Sequence, residues 1–255
     1  MARIVLKFGT GILSRSAGCA LDAAQFRRLA AEVSDLVKAG NSCVIVSSAA
    51  IAAGVHALGL KSRPEDLPGK QACAATGQPE LMRLYSTSFR PYGLAVAQLL
   101  LTHEDIDSRT RRQNARNTLD RLLAVRTVVP IINENDSVAV EEVRFGDNDR
   151  LSAEVAVLIR AKILLLLTSS DGLTDKSGKR IPIVKDMAEA FRHVRPEKGE
   201  MSVGGMKTKL ESVQLVLSAG IRAVILDGRQ KGRIPLAAAF KDTGTRFAVS
   251  KSAKL

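Results

Sequence analysis

Residues 3–47 read RIVLKFGTGILSRSAGCALDAAQFRRLAAEVSDLVKAGNSCVIVS, and this stretch decides the fold class. Residues 3–8 are a short apolar run that breaks at Gly9-Thr10-Gly11, which predicts a strand opening into a tight turn. Asp22 offers an oxygen to cap a helix, with Gln25 three residues on. Phe26, Leu29, Ala30, Val33, Leu36 and Val37 then recur at helical spacing until Gly40 stops them. Residues 43–47 return to a strand. Strand, crossover helix and strand make a βαβ unit. A parallel sheet is covered on both faces, which explains why these strands are continuous Val and Ile runs without polar alternation.

The same alternation continues along the chain. It predicts helices over residues 70–89, 113–123, 150–159 and 206–219, and strands over 94–101, 128–133, 163–168 and 223–226. A short antiparallel excursion is expected over 138–145, and Ile181 to Val184 can add a strand inside the polar span 171–204. No linker or internal repeat interrupts the order. The chain therefore reads as a single α/β domain over residues 1–255.

At 255 residues, 45% hydrophobic and 25% charged, the chain can bury a substantial core. Its longest apolar runs fall well short of the roughly 20 residues that span a bilayer. Behind Arg3 and Lys7 there is no long apolar stretch or small-residue cleavage site, so a cytoplasmic location is expected. Cys19, Cys43 and Cys73 are widely spaced and form no CxxC pair, which argues against a disulfide framework or a zinc site. The net charge of +12 raises the question of a nucleic-acid partner. Only Arg109, Arg111, Arg112, Arg116 and Arg121 are dense, and no aromatic residues are interleaved for base stacking. A solvated helix face accounts for them, and nucleic acid is not the expected partner.

In open parallel sheets ligands bind beyond the carboxyl ends of the strands. That rule selects Lys7 with Gly9-Thr10-Gly11, Ser47-Ser48-Ala49-Ala50, Asn133-Glu134-Asn135-Asp136 and Thr168-Ser169-Ser170-Asp171-Gly172. Two more polar clusters open helices, Gly146-Asp147-Asn148-Asp149 and Gly204-Gly205-Met206-Lys207-Thr208-Lys209. Common motifs fail: Gly54 and Gly59 have P-loop spacing, but Leu60 separates Gly59 from Lys61. The histidines, His56, His103 and His193, lie in no ligand-spaced cluster, and no nucleophile elbow occurs. What remains are two glycine-rich loops, each with lysine. Both suit phosphate, because glycine backbones let N–H groups approach oxyanions and lysine adds a full charge. Gly204-Gly205 equally suits a helix-opening turn with exposed lysines.

Together the clusters are more specific. Lys7-Phe8-Gly9-Thr10, Val46-Ser47-Ser48 with Ala50-Ile51-Ala52-Ala53-Gly54, Lys70-Gln71, Gly77-Gln78, Asn114-Ala115-Arg116, Pro130 to Asp136, Phe145 to Asp149 with Leu151-Ser152-Ala153, and Gly204-Gly205-Met206 with Thr208-Lys209 stand in the order found in glutamate 5-kinases. The chain thus resembles that branch of the amino acid kinase family from Lys7 to about Gly228. The Ile-Asn-Glu-Asn-Asp and Gly-Asp-Asn-Asp runs set it apart from acetylglutamate, aspartate, uridylate and carbamate kinases.

The resemblance implies a three-layer αβα sandwich around a mainly parallel sheet. It places the acid substrate over the N-terminal half and nucleotide over the C-terminal half, in the short form without a PUA domain. It implies an ATP-dependent transferase that phosphorylates the γ-carboxylate of L-glutamate to L-glutamyl 5-phosphate, the first step of proline biosynthesis. Mg²⁺ would be held by the ATP phosphates and water, with no protein metal site. Homo-oligomers, dimers or tetramers, are implied, as is delivery of product to glutamyl phosphate reductase.

By the same resemblance Lys7, Asp149 and Lys209 are catalytic, and Ser48, Asn133, Asp136 and Asn148 bind substrate. Lys7, Gly9, Thr10, Gly11, Thr168, Ser169, Val203, Gly204, Gly205, Met206, Lys207, Thr208 and Lys209 bind nucleotide and phosphate. Two lysines sharing a site repel one another, and Asp149 is the carboxylate expected to hold them in place; it also suits the cap of a helix beginning near Arg150. Three departures touch binding loops: Ala49 stands where glycine is usual, Ser169 where aspartate is usual with Asp171 two residues on, and Ser202-Val203 where Gly-Thr is usual. Two other readings stay open, a related phosphotransferase acting on another small acid and a non-catalytic RNA-binding or regulatory relative.

Overall fold

The structure is a computed structural model that describes residues 1–15, 20–138, 148–194 and 205–249. In chain order the strands are β1 (Arg3–Phe8), β2 (Ser42–Ser47), β3 (Ala95–Leu101), β4 (Val128–Glu134), β5 (Ile163–Thr168), β6 (Ile183–Val184), β7 (Arg222–Asp227) and β8 (Thr245–Phe247). The helices are α1 (Thr10–Leu13), α2 (Ala23–Lys38), α3 (Ala50–Ala57), α4 (Leu67–Phe89), α5 (His103–Asp107), α6 (Arg109–Val125), α7 (Asn148–Leu158), α8 (Met187–Arg192), α9 (Met206–Ser218) and α10 (Arg233–Ala238).

The strands form one eight-stranded sheet in the order β3-β4-β2-β1-β5-β7-β8-β6. It is parallel except where β7 meets β8. The expected α/β sandwich is observed, and the carboxyl ends of β1, β2, β4, β5 and β7 open on one rim. β1 is central, with Lys7 in register with Val46 of β2 and Leu166 of β5. Alternation along β1 sorts its side chains: Ile4, Leu6 and Phe8 enter the core under α2 and α4, whereas Val5 enters the opposite core under α6, α7 and α9. Lys7 therefore points to the α7 side.

α2 forms as its sequence predicts. Asp22 accepts from the N–H groups of Ala24 and Gln25 at 3.0 and 3.2 Å, a cap worth about 1 kcal/mol. The apolar stripe buries Phe26, Leu29, Ala30, Val33 and Leu36, and Phe26 meets the Tyr85 ring of α4 edge-on with centroids 4.8 Å apart. Burying a side chain the size of Phe26 contributes about 2 kcal/mol.

Several boundaries differ from expectation. α4 begins at Leu67, because Asp66 caps Gly69 N–H at 2.8 Å and Pro68 fits a first turn. α6 begins at Arg109, with Ser108 as its cap. Its Arg109, Arg111, Arg112 and Arg121 are exposed, and Arg111 and Arg116 face Asp105 and Asp120 at 3.3 and 3.6 Å. α3 was not evident from periodicity, and neither were α10 and β8. The excursion expected over 138–145 lies outside the described residues beyond Val138.

α3 and α4 touch backbone to backbone. A Cβ on Gly54 would sit 1.8 Å from Cys73 O, and one on Gly77 would sit 1.9 Å from Ala50 O. This is the packing reason for Gly54 that phosphate-loop spacing did not supply, and it fixes α3 just beyond the end of β2.

Candidate active site

Three charged side chains meet at the centre of the rim. Asp149 enters from the first turn of α7, where it is fully buried. Its Oδ1 lies 2.6 Å from Lys7 Nζ and its Oδ2 lies 3.0 Å from Lys209 Nζ. The two lysine side chains are only 9% and 11% exposed. Ammonium groups from β1 and α9, 202 positions apart in the chain by subtraction of their numbers, thus converge on one carboxylate. Burial alone would push the Asp149 carboxyl up. The charges of Lys7 and Lys209, with their hydrogen bonds, outweigh that and hold it below its ordinary value.

Lys7 Nζ also stands close to the first glycine loop. A Cβ added to Gly9 would be 3.6 Å from it and 3.6 Å from Leu167 O. Gly9 opens α1 and accepts from the N–H of Ile12 at 3.0 Å. Thr10 is exposed, and there is open space where a Gly11 side chain would be. On the far wall Arg229, in the loop after β7, donates to Gly11 O at 3.2 Å. That loop is tied down from behind by Arg28, which bonds the carbonyls of Gly228 and Gln230. Arg28 also pairs with buried Glu32 at 2.5 Å, and Glu32 in turn receives Ile234 N–H.

Beside the charged cluster lies a network of side-chain amides. Asn148 donates through Nδ2 to Ser47 O at 2.8 Å, Ser48 Oγ at 3.1 Å and Asn133 Oδ1 at 3.1 Å. Its own Oδ1 is buried and accepts nothing among the described residues. Asn133 donates to Gln78 Oε1 at 2.9 Å, and Gln78 donates to Gln98 Oε1 at 2.8 Å. Asp136 is half-buried and lines a cavity of about 430 Å³ with Ala50, Gln78, Gln98 and Glu134. Ser48, Asn133 and Asn148 are therefore brought together, and Asp136 lines the cavity that Gln78 shares.

The loops expected to bind nucleotide are described less fully. Thr168 ends β5 and accepts Gly228 N–H at 2.9 Å, and Ser169 beside it is exposed. Asp171, the carboxylate nearest the missing one at Ser169, faces Arg233 at 2.5 Å and Arg180 at 3.6 Å. Gly205 caps α9 through backbone geometry and accepts from Thr208 Oγ1 at 2.9 Å. Met206 follows on the first turn of the helix. Lys207 is not part of the cluster: its side chain is 72% exposed, with Glu211 3.9 Å away. Val203 and Gly204 lie outside the described residues, as do Gly146, Asp147 and the departures at Ser202-Val203. At Ala49 the backbone adopts φ 84°, the left-handed region in which a glycine carries no Cβ penalty.

Gln78 and Gln98 were missed as site residues. Their signals were present: Gln98 is the sole polar residue in the apolar strand AVAQLLL, and Gln78 falls on the buried side of α4. Cys43 is buried, and burial pushes its thiol up to about 12, which removes it from thiolate chemistry near neutral pH.

Comparison with known proteins gives the geometry a context. A family model described as the amino acid kinase family matches residues 2–227. The glutamate 5-kinase of Thermus thermophilus is 43% identical over 251 residues, 96% of this chain and 67% of the relative. That of Geobacter sp. strain M21 is 45% identical over 89% of this chain and 62% of its own length. That of Moorella thermoacetica is 44% identical over 96% and 66%. The chain thus spans about two thirds of the length of the curated relatives it matches. Among solved structures, UMP kinase from Bacillus anthracis superposes with a TM-score of 0.65 at 13% identity, over 98% of this chain and 96% of that one, which is a likeness of fold.

Proposed function

The chain belongs to the amino acid kinase family, in its glutamate 5-kinase branch, and from that premise we propose that it transfers the γ-phosphoryl group of ATP to the γ-carboxylate of L-glutamate. The observation that carries the reading is the convergence of Lys7 and Lys209 on Asp149. A carboxylate nucleophile is already ionised near neutral pH, so the reaction needs no general base. Its barrier is the approach of two anions. A carboxylate oxygen bonds to the γ-phosphorus, the bond to the β,γ-bridging oxygen breaks, and ADP leaves with that electron pair; no proton moves. Two cations on opposite sides of the migrating group, with N–H groups of the first glycine loop, neutralise the charge and set the line of attack. Asp149 keeps the two ammonium groups in a single fixed arrangement.

Glutamate would lie over the N-terminal half, at the ends of β2 and β4, and nucleotide over the C-terminal half, at the ends of β5 and β7 and the start of α9. The Oδ1 of Asn148, which accepts nothing among the described residues, and the carboxylate of Asp136 suit the substrate ammonium, and Ser48 and Asn133 bond to the same Asn148 amide. We propose that magnesium enters on ATP. Among the described residues no cluster of three or more His, Cys, Asp or Glu side chains could cage it, and both Asp149 oxygens are engaged by lysines. The described residues include no helix long and apolar enough to cross a membrane, in keeping with the proposed cytoplasmic setting. We propose that the product, an acyl phosphate that hydrolyses readily, is handed promptly to a reductase, as the family resemblance implies.

Trapping with hydroxylamine tests the function. Protein, ATP, Mg²⁺ and glutamate should yield the γ-hydroxamate, and N-acetylglutamate or aspartate should not. Salt-sensitive retention of RNA with no hydroxamate would replace the kinase by a binding role.

A further inference from the structure

The amide chain beneath the acid pocket has a fixed direction. Asn133 Oδ1 accepts the backbone N–H of Glu134 at 2.9 Å, and a backbone N–H can only donate. Asn133 must therefore present Nδ2 to Gln78, Gln78 must present Oε1 to Asn133 and Nε2 outward, and Gln98 must receive with Oε1. At the other end Asn148 Nδ2 donates to Ser47 O, and a backbone carbonyl can only accept. Asn133 and Asn148 are each pinned by the main chain, so Gln78 and Gln98 can follow Asn133 Nδ2 in one orientation only, and turning either over would set donor against donor. The chain starts at the exposed edge strand β3 with Gln98, passes through buried Gln78 on α4, and finishes at Asn148.

We propose that Gln98 and Gln78 are positioning residues for substrate recognition. Through Asn133 they reinforce the setting of the Asn148 amide, whose buried Oδ1 accepts nothing among the described residues and is left to receive the substrate. This rests on the glutamate reading of that pocket. Its consequence is selectivity for a substrate that brings a hydrogen-bond donor, and above all a cation, to that point. Neither glutamine touches the reacting atoms, so they act on glutamate affinity and leave the phosphoryl step alone.

The relay makes a prediction about polarity that a packing role does not. In Gln78→Met the Asn133 Nδ2 loses its acceptor, and KM for glutamate should rise about tenfold, the size of one misaligned hydrogen bond to a charged group. kcat and KM for ATP should stay within about twofold. Because Gln78 is buried, a matched pair on exposed Gln98 guards against misfolding. Because Gln98 also lines the cavity, the pair is compared on the amides it orients: Gln98→Glu still accepts from Gln78 and keeps them in place, whereas Gln98→Lys, which can only donate, turns them. The side-chain amide ¹⁵N resonances of Asn133 and Asn148 in the unliganded protein give a readout independent of catalysis. They should move in Gln78→Met and Gln98→Lys and stay put in Gln98→Glu. Equal effects of the two Gln98 variants on those resonances overturn the relay. Amide shifts as predicted in a protein that makes no glutamyl hydroxamate would instead leave the relay standing and remove the glutamate reading.

Discussion

Replacing Asp149 by asparagine keeps the volume of the side chain and removes its charge, leaving the ammonium groups of Lys7 and Lys209 facing each other across a buried neutral amide. With oxygens 2.6 and 3.0 Å from the two nitrogens, each attraction amounts to about 6 kcal/mol at an effective dielectric of 20. Desolvation of three charges offsets most of that. Removing one member of a buried ion pair nonetheless costs about 3 to 5 kcal/mol, because the remaining charge is stranded. For a chain of this length that lowers the melting temperature by about 10 °C.

The rate should fall further than the stability suggests, since two splayed lysines no longer bracket the proposed phosphoryl position: about a hundred- to a thousandfold in kcat. Acid provides a second signature. The Asp149 carboxyl is held below its ordinary value in the folded state, so its contribution is present above the unfolded value near 4 and is lost as pH falls through the lower folded value. The stability gap between wild type and Asp149→Asn should therefore be constant near neutral pH and close below about pH 4. Adding Lys209→Met to Asp149→Asn should recover stability without recovering activity, by removing one of the stranded cations. Calorimetry across pH together with hydroxamate kinetics measures all of this. Asp149→Asn with wild-type kcat and melting temperature would refute the bracketing arrangement.

Lys209→Ala should lose about 2 to 3 kcal/mol of transition-state stabilisation, near a hundredfold in rate, and steady-state kinetics with an unchanged rate would take Lys209 out of the mechanism. Gly77→Ala drives a methyl group onto Ala50 O and should destabilise the protein by at least about 1 to 3 kcal/mol through overpacking, with the denaturant midpoint as the measure. Ala49→Gly relieves a left-handed φ of 84°; the gain of about 1 to 2 kcal/mol less the flexibility of an unfolded glycine predicts a net rise of about 0.5 kcal/mol, and a drop in melting temperature would contradict it.

Much of the fold was legible because hydrophobic period and parallel-sheet burial act locally. β1, α2 and β2 are visible in residues 3–47, and the rim that must carry the site follows from strand direction. What stayed hidden has physical causes. α3 is a run of Ala, Ile, Gly and Val with little amphipathic contrast, and it is held by backbone packing of Gly54 and Gly77 against neighbours that only the fold supplies. β8 is three residues long and pairs antiparallel to β7, so it has neither length nor period to announce it. Asp171 looked available to stand in for the missing acid at Ser169, yet Arg233 and Arg180, 62 and 9 positions away by subtraction, claim its oxygens. Such pairings between distant segments leave no trace in local pattern.

The adjacency of Asn148 and Asp149 ties the site together. They are consecutive residues in the first turn of α7, so their side chains diverge by about 100° around the helix axis. One reaches the amide pocket and the other the two lysines. Any rigid movement of α7 must shift the acid pocket and the charge cluster together, which keeps the proposed nucleophile and the proposed phosphoryl position in register. A substrate ammonium seated on Asn148 Oδ1 would then restrain the same helix that carries Asp149, and filling the pocket would tighten the geometry around the migrating phosphate. Weakening the Gln98–Gln78 relay while leaving Asp149 intact separates the two functions of this helix turn, because it loosens recognition and leaves the charge cluster with all its partners.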